Sequence, residues 1–570
     1  MSRQNLALQM AIAVIGLALP TICLAQAVCP PTPGAQPVNN RIKYTMYLGS
    51  KPLDAANCAM EVRDGQVRIL PPTSNPAMSC PDMFAWKIYA EVIKQEFWKA
   101  WASDPDTWPS EPLPLCRPGT PPAQCCTPGA ATNPGYDNPD YPAQNCPYFP
   151  GAHLTAEQVV QMRIGQPPSK AHIGTLAASP ELRARILATD PGRKVRQSMA
   201  ELVFRNRPMF DFVFVNDLYN QQGLQRVFKR NSDAIRNGAP YRLKSLPNAL
   251  TEIDFPADAL MIKSNWLNEA RAKEFGMTDD PQNPYIKMTI KTAVDDNDAP
   301  IFEPGVHWLV GFHVSSKDTP NWVWATFEHV NNAGRCDFTG CSDSYGYSSP
   351  DNVSAEQETN FTTPHVKCDD LLLASWVFDP GKRYAGGARS PGLANVFRGL
   401  NIGTATPGAA PAGAVLIPSA SDPAWLSYRL KGTQTQFTDS TGFATRLGNS
   451  VTEGGFVSTS SCISCHARAG LTSAGTAGPL GLGVFINELS EAGYLQSSMG
   501  VPLPGWYHGS AQPPALKVLQ SDFVWGFLAA SCIKSQPTEG CPATPAIMLS
   551  VPSGQRMIPP SVRRRIRELQ

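Results

Sequence analysis

Ser460 to Gly470 reads SSCISCHARAG. Cys462 and Cys465 stand three positions apart, and His466 follows the second directly. Four chemistries use such a pair: a disulfide, a thioredoxin-like dithiol, half of a zinc site, and covalent haem attachment. With 15 Cys and 8 His in 570 residues, random placement gives only about 0.006 matches to C-x-x-C-H, so chance is a poor account. A redox dithiol opens a helix behind a strand of a βαβ unit, and no such unit is evident. Zinc needs four ligands, and Cys532 and Cys541 have poor spacing for a second half-site. Haem attachment fits best. Two thiols on one helical turn reach both vinyl groups of one haem, and the histidine that follows turns under the ring to bind iron. Cys462 and Cys465 are therefore the expected cofactor-binding residues for one covalent haem c, with His466 the proximal iron ligand.

Haem c is attached after export, and the N-terminus agrees. MSRQNLALQMAIAVIGLALPTICLAQA (1–27) has one positive charge, Arg3, an apolar run from Met10 to Leu19, and ends in Ala25-Gln26-Ala27. That is a secretory signal with an A-x-A cleavage pattern. A membrane anchor needs about 20 uninterrupted apolar residues, and Pro20 and Thr21 cut this run short. Cys23 follows Ile22 rather than the small residue a lipoprotein site wants. The expectation is a periplasmic or secreted chain starting at Val28, with no membrane span.

The cysteine count fits an oxidising compartment. Removing Cys23, Cys462 and Cys465 from 15 leaves twelve, an even number. Cys336/Cys341 and Cys532/Cys541 read as local staples; Cys58, Cys80, Cys116, Cys125, Cys126 and Cys146 crowd the N-terminal third with their pairing open. Lys plus Arg is 48 against 47 acidic residues, which argues against nucleic acid or an anionic membrane as a bulk partner. Pro at 55 residues implies plentiful irregular loops.

Periodicity divides the chain. PDMFAWKIYAEVIKQEFWKAWASD (81–104) reads as one amphipathic helix with Trp86, Ala90, Ile93, Phe97 and Trp101 on its apolar stripe, most simply a core face. Residues 104–150 form a Pro/Gly/Cys-rich stretch too long for a connector, expected as a stapled excursion. Helical patterns resume at LTAEQVVQMRIG, SPELRARILATD, RKVRQSMAELVFRN and PMFDFVFVNDLYNQQG. The middle then changes period. YIKMTIKTAV (285–294), VHWLVGFHV (306–314) and WVWATFEHV (322–330) read as antiparallel strands. Strict alternation puts His307 and His313 on one face; Trp322, Trp324, Thr326 and Glu328 share a face, with His329 opposite. These histidines are candidate ligands or bases, although a sheet histidine is more often a packed, hydrogen-bonded residue. DDNDAPIFE (295–303) resembles a calcium loop only loosely and reads better as a solvated turn. Residues 401–424 read as a linker or surface excursion, and YRLKGTQTQF as one more strand. The expected fold class is α+β. It comprises a helical, Pro/Cys-rich region over 28–250, an antiparallel β-rich domain over 251–440, and a small, mainly helical cytochrome-c-like domain over 441–570.

The order of FAWKIYAEVI, ALMIKSNW, GVHWLVGFHV, NWVWATFEHVNN, LKGTQTQF, LGNSVTE, CISCH and SDFVWGFLAA resembles a group of exported, poorly characterised bacterial cytochrome-c-like proteins with a single C-x-x-C-H motif. The likeness touches most of the chain in scattered patches, and CISCH alone among them has chemical specificity. It implies haem on Cys462 and Cys465, an axial His466, and interest in His313 and His329 through GFHV and FEHV. It implies a cofactor and a compartment, and no substrate.

The distal iron ligand separates the function classes. Iron closed by Met or a second His carries electrons; an open position meets peroxide, oxygen or nitric oxide. Met499, in SSMGVPLPG, sits before prolines that stiffen a loop and is the expected distal ligand; Met548, Met557 and His508 are alternatives. The leading expectation is an electron carrier serving a periplasmic redox partner protein. A haem-dependent redox enzyme and a secreted binding module with a structural haem are the alternatives. There is no second C-x-x-C-H, G-x-S-x-G, H-E-x-x-H or Walker loop, so two-haem peroxidase, hydrolase and nucleotide-driven readings lack support.

Overall fold

The computed structural model describes residues 58–166, 195–196, 198–238, 249–292, 303–332, 347–348, 361–366, 374–378, 388–389, 391–406, 408, 411, 413–438, 445, 447–454, 460–475, 501–537 and 541. The fold is α+β. A hairpin of β1 (Ala59–Arg63) and β2 (Gln66–Leu70) turns at Asp64-Gly65, both with positive φ, as a two-residue hairpin turn requires. The Cys58–Cys80 disulfide ties it to α1 (Pro81–Lys94). This helix starts with Pro81 at its first turn beside Asp82 and ends with Lys94, the charge order the helix dipole favours.

The expected helix over 81–104 is therefore shorter. Glu96 adopts a left-handed φ of 50° and breaks it, and a separate turn Phe97–Ala100 follows. The apolar stripe is nonetheless core: Trp86, Ala90, Ile93, Phe97 and Trp101 are all buried.

A seven-stranded antiparallel sheet carries the molecule. Its strands are β3 (Ala102–Ser103), β4 (Met199–Arg205), β5 (Leu260–Asn268), β6 (Lys287–Ile290), β7 (Gly305–Ser316), β8 (Val323–His329) and β9 (Tyr428–Gln434). Their spatial order is β9-β8-β7-β5-β4-β3, with β6 paired to the first residues of β7. The strands around 306–314, 322–330 and 428–434 lie where expected. The helix expected over 193–206 is instead largely β4. Ala200, Leu202 and Phe204 join the apolar core while Glu201 bonds across the other face to Lys263, a period of two. The sheet thus takes strands from both sides of the expected boundary at 250/251.

One face of this sheet is apolar and lies under α1. Trp86 packs on Phe327, Tyr89 on Phe312 and Phe97 on Phe204, with ring centroids 5.0, 5.5 and 5.4 Å apart. The other face holds a buried polar band, Lys263, Asn265, His313, Thr326, Glu328 and Lys431, with the partly buried Glu201 at its end. Residues 449–453 cover that band, Asn449 bonding to Thr326, Ser450 to Glu328 and Thr452 to Asn265, and the core beside it includes Trp322, Trp324, Cys462, Ile463 and Phe527.

His307 and His313 do not share a face. The register shifts between Asn265 and Trp266, so Val310 is an extra residue in β7. Leu309 consequently packs in the same core as Phe312 and Val314, which strict alternation forbids.

The stretch 104–150 is a stapled excursion, closed by Cys116–Cys125 and Cys126–Cys146. Cys532–Cys541 is the local staple expected; Cys336 and Cys341 lie outside the described residues. The helix expected over 179–190, most of 295–303 and the leader 1–27 also lie outside them. Helices α2 (Ala156–Met162) and α3 (Arg207–Val215) match the remaining helical patterns, while α4 (Gln221–Arg236) is a helix that the sequence reading did not single out. The expected linker packs onto the body in part: Leu416 bonds to Thr289 of β6, and Trp98 Nε1 donates to Pro418. Among the described residues no helix is long and apolar enough to cross a membrane.

Candidate functional site around Cys462, Cys465 and His466

The motif forms its own short helix, α5 (Cys462–His466). Five residues do not make a stable helix alone, so its open N-terminal donors need partners. Ser461 caps Ser464 N, and Gln434 at the end of β9 accepts from Ile463 N at 3.0 Å. Gln434 Nε2 also donates to Ser461 Oγ at 2.9 Å. The sheet therefore fixes where the helix starts.

Cys462 and Cys465 fall on one turn and are 7% and 3% exposed. Both are thiols, whereas the other eight described cysteines form four disulfides. Cys462 Sγ lies 3.6 Å from the Leu447 carbonyl. A disulfide within CISC is thus not formed, and no group of three or more His, Cys, Asp or Glu suited to a metal ion exists among the described residues.

His466 Nδ1 lies 2.8 Å from the Phe523 carbonyl, and its ring packs on Trp324 with centroids 4.4 Å apart. A carbonyl only accepts, so Nδ1 carries the proton and Nε2 the lone pair that a metal needs. Asp522 and Phe523 hold φ values of 46° and 66°, a conformation costing about 1–3 kcal/mol per residue. Asp522 secures that turn. Its carboxylate takes Lys317 Nζ at 2.7 Å, Trp322 Nε1 at 3.1 Å and Phe255 N at 2.7 Å. Burial pushes the Asp522 carboxyl above the usual range, and Lys317 beside it pulls back.

Two thiols on one turn and an imidazole with Nδ1 tied to a carbonyl form a donor set that fits covalent haem. Cys462 and Cys465 would hold the porphyrin edge and His466 Nε2 the iron. Past the motif, Arg468 is 5% exposed and lays its guanidinium over the Trp506 ring at 4.1 Å.

The other candidates scatter. His313 Nε2 lies 3.5 Å from Glu453 Oε2 in the polar band. His329 stacks on Tyr285 at 3.5 Å between centroids and meets the Pro284 carbonyl at 3.1 Å, a packed core residue. His307 Nδ1 meets the Gly305 carbonyl, and burial lowers its pKa to about 4. His508 is half-buried in a bridge to Leu516. Met499, Met548 and Met557 lie outside the described residues. Sequence reading missed Gln434, Lys317, Asp522 and the Phe523 carbonyl, although TQTQF and SDFVWGFLAA contain three of them.

Compared with known protein families, curated proteins and solved structures, the chain matches none.

Proposed function

We propose that this chain is an exported c-type cytochrome that binds one haem through Cys462 and Cys465, ligates its iron with His466 and carries electrons. The observation that carries this reading is the Phe523 carbonyl on His466 Nδ1, beside two thiols where the other eight described cysteines are disulfide-bonded. When bound, haem supplies a one-electron iron couple. Cys462 and Cys465 would hold the ring as thioethers through its two vinyl groups and fix its orientation. Phe523 orients the imidazole and raises its basicity. Burial of the turn by Trp324, Ile463 and Phe527 restricts water, which lowers the reorganisation that accompanies a change of charge.

The four disulfides among the described residues support folding in an oxidising environment. With the leader over 1–27 and the resemblance to exported cytochrome-c-like proteins, the proposed compartment is the periplasm, the mature chain starts at Val28, and the partner is another periplasmic redox protein.

Mass spectrometry of the chain exported beside an active haem-attachment system tests this. One haem that survives acid-acetone extraction is expected, and a mass matching the bare chain refutes the reading. A second reading, haem-based catalysis, draws on the buried His313–Glu453 pair. Met499 decides between them. If it closes the iron, the protein shows a weak sulfur-to-iron band, and Met499→Ala loses the band and gains carbon monoxide binding. Rapid carbon monoxide binding by the native ferrous protein favours the enzyme.

A further inference from the structure

Arg468 lies two residues past His466 on the far side of the motif. Its Nε and Nη2 atoms are buried and meet no hydrogen-bond acceptor among the described residues. A guanidinium stays charged at any physiological pH, and a buried charge without a partner costs several kcal/mol. Two neighbours bear groups whose anions would face it, Cys465 and Tyr507. Burial pushes the Tyr507 phenol above its usual range, and the Tyr507 hydroxyl already donates to the Ala467 carbonyl at 2.6 Å. A cysteine converted to a thioether carries no charge. Neither neighbour therefore balances Arg468 in a haem-loaded chain.

The arrangement around the cation is built. Trp506 supports the flat face of the guanidinium at 4.1 Å, which leaves its edge for a planar, two-oxygen acceptor. Trp506 is itself held where the chain folds back: Lys517 N and Val518 N both donate to the Tyr507 carbonyl, and Ser521 N donates to that of Ala469. The backbone thus fixes the cation relative to the motif.

We propose that Arg468 seats a haem propionate, the two N–H groups on its edge donating to one carboxylate. This rests on the proposed covalent haem, whose propionates are the carboxylates that group would supply. Arg468 is a positioning residue: it fixes the tilt of the ring and places a positive charge that favours ferrous iron.

The test uses the full exported chain, loaded with haem whose propionate carboxyls are labelled with carbon-13, and reads redox-difference infrared spectra with the midpoint potential. Arg468→Gln is expected to move a labelled carboxylate band and lower the potential. Arg468→Lys, which keeps the charge without the fork, is expected to move the band while holding the potential nearer to the native value; it serves alone if the Gln variant does not accumulate. Labelled bands unchanged in a haem-loaded variant overturn the Arg468 assignment and leave the cytochrome reading standing. A native chain with no covalent haem overturns both.

Discussion

Gly311 is the point at which the covering segment meets the sheet, and Gly311→Ala measures that contact. A Cβ at Gly311 would stand 2.5 Å from Asn449 Nδ2, closer than real Cβ contacts allow, so the amide must withdraw by about 1 Å to reach ordinary contact. That amide donates to Thr326 Oγ1 and the Phe327 carbonyl, each at 3.1 Å. Losing two buried hydrogen bonds costs about 1 kcal/mol each, plus about 1 kcal/mol for stranding a buried acceptor. Replacing a strand glycine returns about 0.5–1 kcal/mol. The expected net loss is about 2–2.5 kcal/mol. Asn449→Ala alone should cost about 3 kcal/mol, because its Oδ1 also accepts from Val451 N and Thr452 N. In the double variant the new methyl has room, so the two losses should fall short of their sum by at least about 1.5 kcal/mol. Urea unfolding of the oxidised chain, followed by circular dichroism at constant m-value, gives all four free energies. Losses that add within about 0.5 kcal/mol refute the contact.

Four further outcomes are expected. Asp522→Ala leaves the buried Lys317 with the half-exposed Asp254 and the Pro320 carbonyl as partners, and should lose about 3 kcal/mol; it also loosens the turn that holds the Phe523 carbonyl, so a midpoint potential identical to the native one would count against the His466–Phe523 bond. His307, with its pKa lowered to about 4 by burial, stays neutral in the fold while the unfolded chain takes up a proton below about 6.5, so stability should fall on acidification through that window by at most about 3 kcal/mol; His307→Gln should flatten the fall, and an unchanged slope would refute it. His466→Ala should lower the yield of haem-loaded chain and alter its absorption spectrum; a native spectrum and potential would remove His466 from the iron. Thiol titration of the denatured, unreduced protein should find few or no thiols, and ten or more would contradict the disulfides.

The parts of the fold that the sequence shows plainly are those whose composition suits a strand buried on both faces. VHWLVGFHV and WVWATFEHV are β-branched and aromatic almost throughout; Phe312 and Phe327 pack under α1 while Trp322 and Trp324 enter the core on the other side. MAELVFR misleads because it continues the charged run RKVRQS at helical spacing; pairing with β5 overrides that preference. The two-histidine face failed on one inserted residue, Val310, because a bulge reverses every side chain beyond it. The polar band was invisible for another reason. Lys263, Glu328 and Lys431 look like solvated positions, yet all three are buried, and the cover includes Asn449, Ser450 and Thr452 from far along the chain. At the site, thiols and imidazole are adjacent in sequence and legible. Their supports are not, since Gln434 reaches Ile463 across 29 residues and Phe523 reaches His466 across 57 through a backbone oxygen that no residue type announces.

The burial of Cys462 and Cys465 also orders events in time. At 7% and 3% exposure the two cysteines are closed to any attaching enzyme in the folded chain, with Leu447 and Phe527 in the same core. On the proposed function, haem delivery would therefore precede closure, and Gln434 and Asp522 would act afterwards, as latches on a chain that already holds its cargo. The interval before β9 pairs with β8 would then be the working window for maturation, and anything that hastens that pairing would shorten it.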